Sequence, residues 1–295
     1  MPAAIAARVD APQVPRTLSL EITYGCNLVC GHCYAESAPG LGHGTMSLGD
    51  WYALIDLAAS VGVARVQLIG GEAALHPDLP ALVRHALGAN LGVEVYTNLT
   101  FVTDTLWEVY GLPGVSVATS YYSPEPAAHD QATGRRGSHA KTRANIVKAV
   151  ELGLTLRVAV IETASEADAA AAEAELRVLG VTRVGRDRVR SFGRAAAGAP
   201  DPAGLCGHCG TTRAAILPDG KLVPCGMGRW LSGGNVRDTP LDQLLAGEQW
   251  RTALAAVPAP RAACKPDDDS CKPKLDGGDC PPAEQQACQP DWNRR

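Results

Sequence analysis

Three cysteines, Cys26, Cys30 and Cys33, stand in the stretch ITYGCNLVCGHCYAES, just after an apolar run that reads as a strand. Thiols this close together are metal ligands rather than an ordinary disulfide framework, because one short loop can present all three sulfurs to one centre. Two kinds of centre fit. A tetrahedral zinc ion would take a fourth ligand from elsewhere, with His32 and His43 as the imidazoles at hand. An iron–sulfur cube would have three corners filled and its fourth iron open to a small ligand, the arrangement that catalysis needs.

The other seven cysteines all lie in the last third of the chain: Cys206, Cys209, Cys225, Cys264, Cys271, Cys280 and Cys288. None falls between residues 34 and 205, so the distribution predicts at least two separate metal sites. Each of the last four has a proline one or two positions later, which stiffens a loop around a ligand. The segment that carries them is too polar to fold by burial, and ligation is the means left to hold it. Seven thiols are one short of two fully ligated cubes. Either one auxiliary corner is open or held by another group, or one cysteine is free for chemistry such as hydrogen-atom donation.

Composition narrows the partners. The 295 residues are 46% hydrophobic with a formal net charge of -4, and no basic stripe interleaved with aromatics points to nucleic acid. No apolar run reaches the roughly 18 residues of a membrane span. The N-terminus lacks the apolar core of a signal peptide, so the expectation is a cytoplasmic protein without a membrane partner.

The elements that must position the cysteines follow from hydrophobic periodicity. Strands are expected at 17–23, 65–71, 92–98, 114–120, 154–162 and 182–190, with helices at 46–62, 76–89, 103–110, 138–153 and 165–180. Ser47 is the expected N-cap of the first helix and Gly62 its stop. Serial β-then-α units predict an α/β fold with a parallel sheet, and right-handed crossovers gather the strands' carboxyl ends on one face. That face collects the cysteine loop, then Gly70, Gly71 and Glu72, then Thr97 and Asn98, then Ser120. A Gly/Ala/Pro-rich linker at 194–205 leads to a hairpin at 213–225, with Asp219 and Gly220 at its turn, and one helix at 240–254. Tyr121 and Tyr122 lie beside the expected cleft, either packing or touching substrate. Asp130 reads as a helix N-cap, and the basic run GRDRVRSFGR at 185–194 as an anion-binding or bridging segment.

The stretch CNLVCGHCY resembles the Cys-x3-Cys-x2-Cys signature of the radical S-adenosylmethionine (radical SAM) superfamily. The resemblance implies a partial (β/α)6 TIM-like barrel over 17–193, preceded by an extension at 1–16. It further implies a [4Fe-4S] cluster held by Cys26, Cys30 and Cys33 whose open iron chelates S-adenosylmethionine. By the same resemblance Gly70, Gly71 and Glu72 hold the cofactor's amino group, and Ser120 and Asn98 contact the cofactor. Arg143 and Arg157 are the candidates to pair with its carboxylate. Residues 206–295, with GKLVPCGMGRWLSGGNV as the most specific piece, are similar to a SPASM or Twitch domain carrying one or two auxiliary [4Fe-4S] clusters. The spacing of Cys264, Cys271, Cys280 and Cys288 departs from the usual SPASM pattern.

The activity so implied is reductive cleavage of S-adenosylmethionine to a 5'-deoxyadenosyl radical that abstracts hydrogen from a substrate. An external electron donor such as ferredoxin or flavodoxin would supply the electron. The expected substrate is a ribosomally synthesised peptide, which would be crosslinked, joined through a thioether or epimerised. With the first strand starting near residue 17, a peptide would need a separate leader-peptide recognition protein or a groove along the barrel. The alternative substrate is a small aminocyclitol or sugar, oxidised or epimerised. A non-catalytic zinc or electron-transfer protein is the reading from another class. No catalytic acid, base or hydrogen donor can be named from the residues.

Overall fold

The computed structural model describes residues 14–259. Its strands are β1 (Thr17–Glu21), β2 (Arg65–Ile69), β3 (Gly92–Tyr96), β4 (Val115–Tyr121), β5 (Leu156–Glu162), β6 (Arg183–Arg188), β7 (Arg213–Ile216) and β8 (Leu222–Val223). They form one sheet in the order β6-β5-β4-β3-β2-β1-β7-β8. Every pairing is parallel except the β7–β8 hairpin. The expected incomplete (β/α)6 barrel is therefore present. The hairpin forms with Gly220 at its turn (φ +86°), and β7 continues the barrel's own sheet by pairing with β1, Thr17 opposite Arg213.

Helices α1 (Leu48–Ser60), α2 (Leu79–Gly88), α3 (Asp104–Tyr110), α5 (Ser138–Glu151) and α6 (Glu166–Val178) match the expected ones within a few residues at each end. Ser47 caps α1 as read, in a reciprocal box with Asp50: Ser47 Oγ accepts from the Asp50 amide at 3.2 Å and Asp50 Oδ2 from the Ser47 amide at 2.8 Å. Two features differ. A helix not foreseen, α4 (Pro126–Thr133), precedes α5, with proline at its start and left-handed Gly134 at its end. Asp130 sits inside α4 and caps the next helix instead, accepting from the Gly137 and His139 amides at 2.6 and 2.9 Å. The single helix expected at 240–254 is two, α7 (Leu241–Ala246) and α8 (Glu248–Ala255), because Gly247 between them is extended.

Alternation along the strands divides their side chains. Leu18, Leu20, Val66, Leu68, Val93, Val95, Val158 and Val160 belong to the buried core with the apolar faces of the helices. Their neighbours in sequence form a polar chain on the other side. Ser19 Oγ donates to Gln67 Oε1 at 3.0 Å, and Gln67 Nε2 donates to Glu94 Oε2 at 2.6 Å. Arg157 grips Glu94 with two hydrogen bonds of 2.8 Å. These residues come from β1, β2, β3 and β5, so the network crosses the barrel.

Burial alone would raise the Glu94 carboxyl, but the Arg157 charge and the hydrogen bonds from Arg157 and Gln67 outweigh it and hold it at about 2. A depressed carboxyl stabilises the fold above its ordinary value of 4.5, and that contribution is lost as pH falls toward about 2. Arg157→Leu, which leaves a buried carboxylate unpaired, is expected to cost about 3–5 kcal/mol in anaerobic urea denaturation. The Glu94→Leu/Arg157→Leu pair should regain most of that loss and flatten the stability change between pH ~5 and ~2. A single variant as stable as wild type would contradict the role of the pair.

Candidate functional site

The cysteine loop starts where β1 ends, and the tip of β2 fixes it. Gly71 donates to the Thr23 carbonyl at 2.8 Å and Glu72 to the Gly25 carbonyl at 2.9 Å. The two backbones are too close for side chains. A Cβ on Gly70 would lie 2.6 Å from the Thr23 oxygen, and one on Gly71 2.2 Å from the Gly25 oxygen. The Glu72 carboxylate is committed within the chain: Oε1 accepts from the Ala74 amide at 2.9 Å and Oε2 from the Asn98 amide at 2.6 Å. Burial pushes this carboxyl up, against the hydrogen bonds from Thr97, Asn98 and Ala74. Gly70 and Gly71 line the cleft together with Glu72.

Cys26 is buried, and its sulfur accepts from the Leu28 amide at 3.4 Å and from Asn98 Nδ2 at 3.9 Å. The same Asn98 amide group donates to Asn27 Oδ1 at 2.8 Å, so the end of β3 holds the loop from a second side. The Tyr122 ring shares the cleft lining with Cys30. Burial pushes the unligated thiols up, Cys26 to about 12 and Cys30 to about 11. Burial also lowers His32 to about 4, with the Arg194 charge adding to the effect, so its ring is neutral near pH 7.

Cys26, Cys30, Cys33, Gly70, Gly71, Glu72, Asn98 and Ser120 all line one open cleft. The tips of β1 to β4 thus meet as the sequence suggested. Ser120 Oγ shares a hydrogen bond of 2.7 Å with the Tyr96 hydroxyl at the cleft wall. His32 and Tyr122 add their rings, 4.8 Å apart between centroids. His43 lies elsewhere: it is exposed and bonded to Thr23 Oγ1 at 2.9 Å, outside the cleft lining.

The two arginine candidates lie outside the lining as well. Arg143 projects from α5 to Glu175 at 2.7 Å in the outer helical layer. Arg157 is held by Glu94 inside the barrel, below the cleft. The cations that the cleft lining does contain, Arg188, Arg190 and Arg194, come from the end of β6 and the segment after it. The basic run at 185–194 was the signal for them, and only the three-dimensional course of the chain shows which wall they join.

The second cysteine set gathers beside β7 and β8. The sulfurs of Cys206 and Cys209 are 4.0 Å apart and those of Cys209 and Cys225 3.0 Å apart. They open on a cavity that Glu21, Tyr34 and Met227 also line. Tyr34 and Met227 belong to the walls of both cavities. Arg229 forms an ion pair with the buried Glu21 carboxylate. Cys264, Cys271, Cys280 and Cys288 lie outside the described residues.

Residues 20–172, just over half of the chain, match the model of the radical SAM superfamily. The chain belongs to that superfamily. Residues 206–273 of this radical SAM protein match the SPASM model, described as an iron–sulfur cluster-binding domain. It is 31% identical over 148 residues to the antilisterial bacteriocin subtilosin biosynthesis protein AlbA of Bacillus subtilis, covering 50% of this chain and 33% of the relative. It is 32% identical over 133 residues to the AdoMet-dependent heme synthase of Methanosarcina barkeri, covering 45% and 38%. The chain thus spans little more than a third of the length of these relatives. Its fold is that of Streptococcus suis SuiB, solved with S-adenosylmethionine and with the precursor peptide SuiA, at a TM-score of 0.69 and 14% identity. That likeness covers 80% of this chain and, in the S-adenosylmethionine complex, 66% of SuiB.

The superfamily's iron–sulfur clusters replace zinc as the metal of this radical SAM protein, and the donor set fits them. Three thiols on one loop would leave a cube one open corner, and N–H groups from Leu28 and Asn98 point at the Cys26 sulfur. The crowding of the Gly-Gly turn yields a direct check. Gly71→Ala must push the turn off the cysteine loop and is expected to weaken S-adenosylmethionine binding at least about tenfold, the loss of one hydrogen bond to a charged group. Calorimetric titration of the reconstituted protein reads the loss, and circular dichroism should stay unchanged. Unaltered binding would contradict the close approach.

Proposed function

We propose that this chain is a radical SAM oxidoreductase that modifies a ribosomally synthesised peptide. One observation carries the catalytic part: four consecutive strand tips deliver the cysteine loop, the Gly-Gly turn, Asn98 and Ser120 to a single cleft. Cys26, Cys30 and Cys33 would hold three corners of a [4Fe-4S] cluster. The Gly70 and Gly71 carbonyls would receive the cofactor's ammonium, and Asn98 and Ser120 would contact its remaining polar groups. When bound, the cluster and S-adenosylmethionine supply reductive cleavage of the sulfonium and abstraction of hydrogen from an unactivated C–H bond.

The chain's own part is placement. His32 and Tyr122 wall the cleft with rings, the former neutral because of its burial. Asn98 keeps the loop against β3 while accepting from the Thr100 amide at 2.8 Å, so the side chain that touches a ligand sulfur has no freedom to turn. Cys206, Cys209 and Cys225 would bind an auxiliary cluster one cavity away, with Tyr34 and Met227 between the two sites. The peptide substrate is supported by the likeness to a bacteriocin biosynthesis protein and by the fold shared with SuiB, which is solved with a precursor peptide. The likeness to a heme synthase favours a second reading, in which the substrate is a small molecule.

Anaerobically reconstituted protein given dithionite and S-adenosylmethionine should release 5'-deoxyadenosine. The Cys26/Cys30/Cys33→Ala variant should lose about four irons per chain and all cleavage. Added short peptides encoded beside the gene should change in mass in step with that release. Cleavage that survives the triple variant would sink the catalytic reading, and release uncoupled from any peptide would turn the substrate reading to small molecules.

A further inference from the structure

The segment after β6 reaches back to the cysteine loop at three points. Arg194 Nε donates to the Cys30 carbonyl at 2.8 Å and Arg194 Nη2 to the Ser37 carbonyl at 2.7 Å. The Arg194 amide donates to the Cys33 carbonyl at 3.1 Å. One residue, more than 150 positions downstream, therefore holds the loop at two of its three cysteines and at its exit. Gly193 makes the approach possible. Its φ is +55°, and a Cβ there would lie 2.4 Å from the Cys33 oxygen. On its other side the segment is anchored by Phe192, buried with Leu205, Cys206 and Cys209 and 5.5 Å from the Trp230 ring.

Arg194 also lines the cleft that Cys26, Cys30 and Cys33 line, so its charge lies at the wall of the space a cluster there would fill. A guanidinium keeps its proton in any protein environment, which makes the charge permanent. Reduction of a cluster adds one negative charge, and a fixed cation nearby favours the reduced form.

We propose that Arg194 is a positioning residue for the N-terminal cluster, one that holds the cysteine loop in ligand geometry and raises the cluster's reduction potential with its fixed charge. This rests on the iron–sulfur reading of the Cys26, Cys30 and Cys33 loop. The two parts of the role separate by substitution. Arg194→Lys keeps the charge and loses the fork that spans two carbonyls, whereas Arg194→Gln keeps a donor and loses the charge.

The test is an anaerobic redox titration, followed by electron paramagnetic resonance, of the signal that responds to S-adenosylmethionine. Arg194→Gln is expected to shift the reduction equilibrium about tenfold toward the oxidised state, ~59 mV for a one-electron couple. Arg194→Lys should titrate like wild type while retaining less iron through gel filtration. Where Arg194→Gln fails to hold its cluster, Arg194→Lys carries the test, and iron retention equal to wild type would overturn the role of the fork. Equal potentials in Arg194→Gln and wild type would overturn the role of the charge. Wild type without any responsive signal would count against the cluster reading itself, separately from Arg194.

Discussion

At the mouth of the barrel the backbone of β2 lies directly on the backbone of β1. Gly71 and Glu72 spend their amides on the Thr23 and Gly25 carbonyls, and no Cβ fits between the two chains. Much of the site follows from that contact. It places the start of the cysteine loop, and it sends the Glu72 side chain across to the Asn98 amide at the tip of β3. Asn98 in turn reaches Asn27 and the Cys26 sulfur. A closed ring of hydrogen bonds thus joins β1, β2 and β3 around the first cysteine, with no flexible side chain bearing the load alone.

The barrel beneath is organised by charge. Glu94 and Arg157 take two desolvated ions out of water, a cost that only close geometry and further hydrogen bonds offset. Gln67 and Ser19 supply those bonds, so the interior stays polar while the outer faces of the same strands are apolar. The Glu21–Arg229 pair links this polar interior to the auxiliary cysteines, and Arg194 ties the segment after β6 to the first cluster loop. The two cysteine sets are consequently parts of one framework. Their cavities share Tyr34 and Met227, and β7 belongs to the same sheet as β1.

Local pattern in the sequence was enough for what local forces decide. Strand alternation, the Ser47 cap and the Asp219–Gly220 turn all read correctly because each depends on neighbours within a few residues. The cysteine spacing carried the metal chemistry for the same reason. Arg143 and Arg157 show where such reading stops. Both are basic residues on elements next to the cleft, and nothing in their surroundings in sequence reveals that Glu175 and Glu94, distant along the chain, already hold them. Arg194 is the converse case, a residue in an unremarkable Gly/Arg run whose role depends wholly on a contact with the far end of the fold. Gly247 split a helix that its amphipathic pattern would have continued, since periodicity reports burial and not backbone angle.

The central claim is that the Cys26, Cys30 and Cys33 loop holds a cluster whose open iron faces the Gly-Gly turn. Mössbauer spectroscopy of iron-57 protein tests it most directly, in the Cys206/Cys209/Cys225→Ala background that removes the nearest auxiliary ligands. Addition of S-adenosylmethionine should move the signal of one iron in the cube and leave the other three where they were. A spectrum that does not respond to the cofactor, or that moves all four irons alike, would contradict the claim.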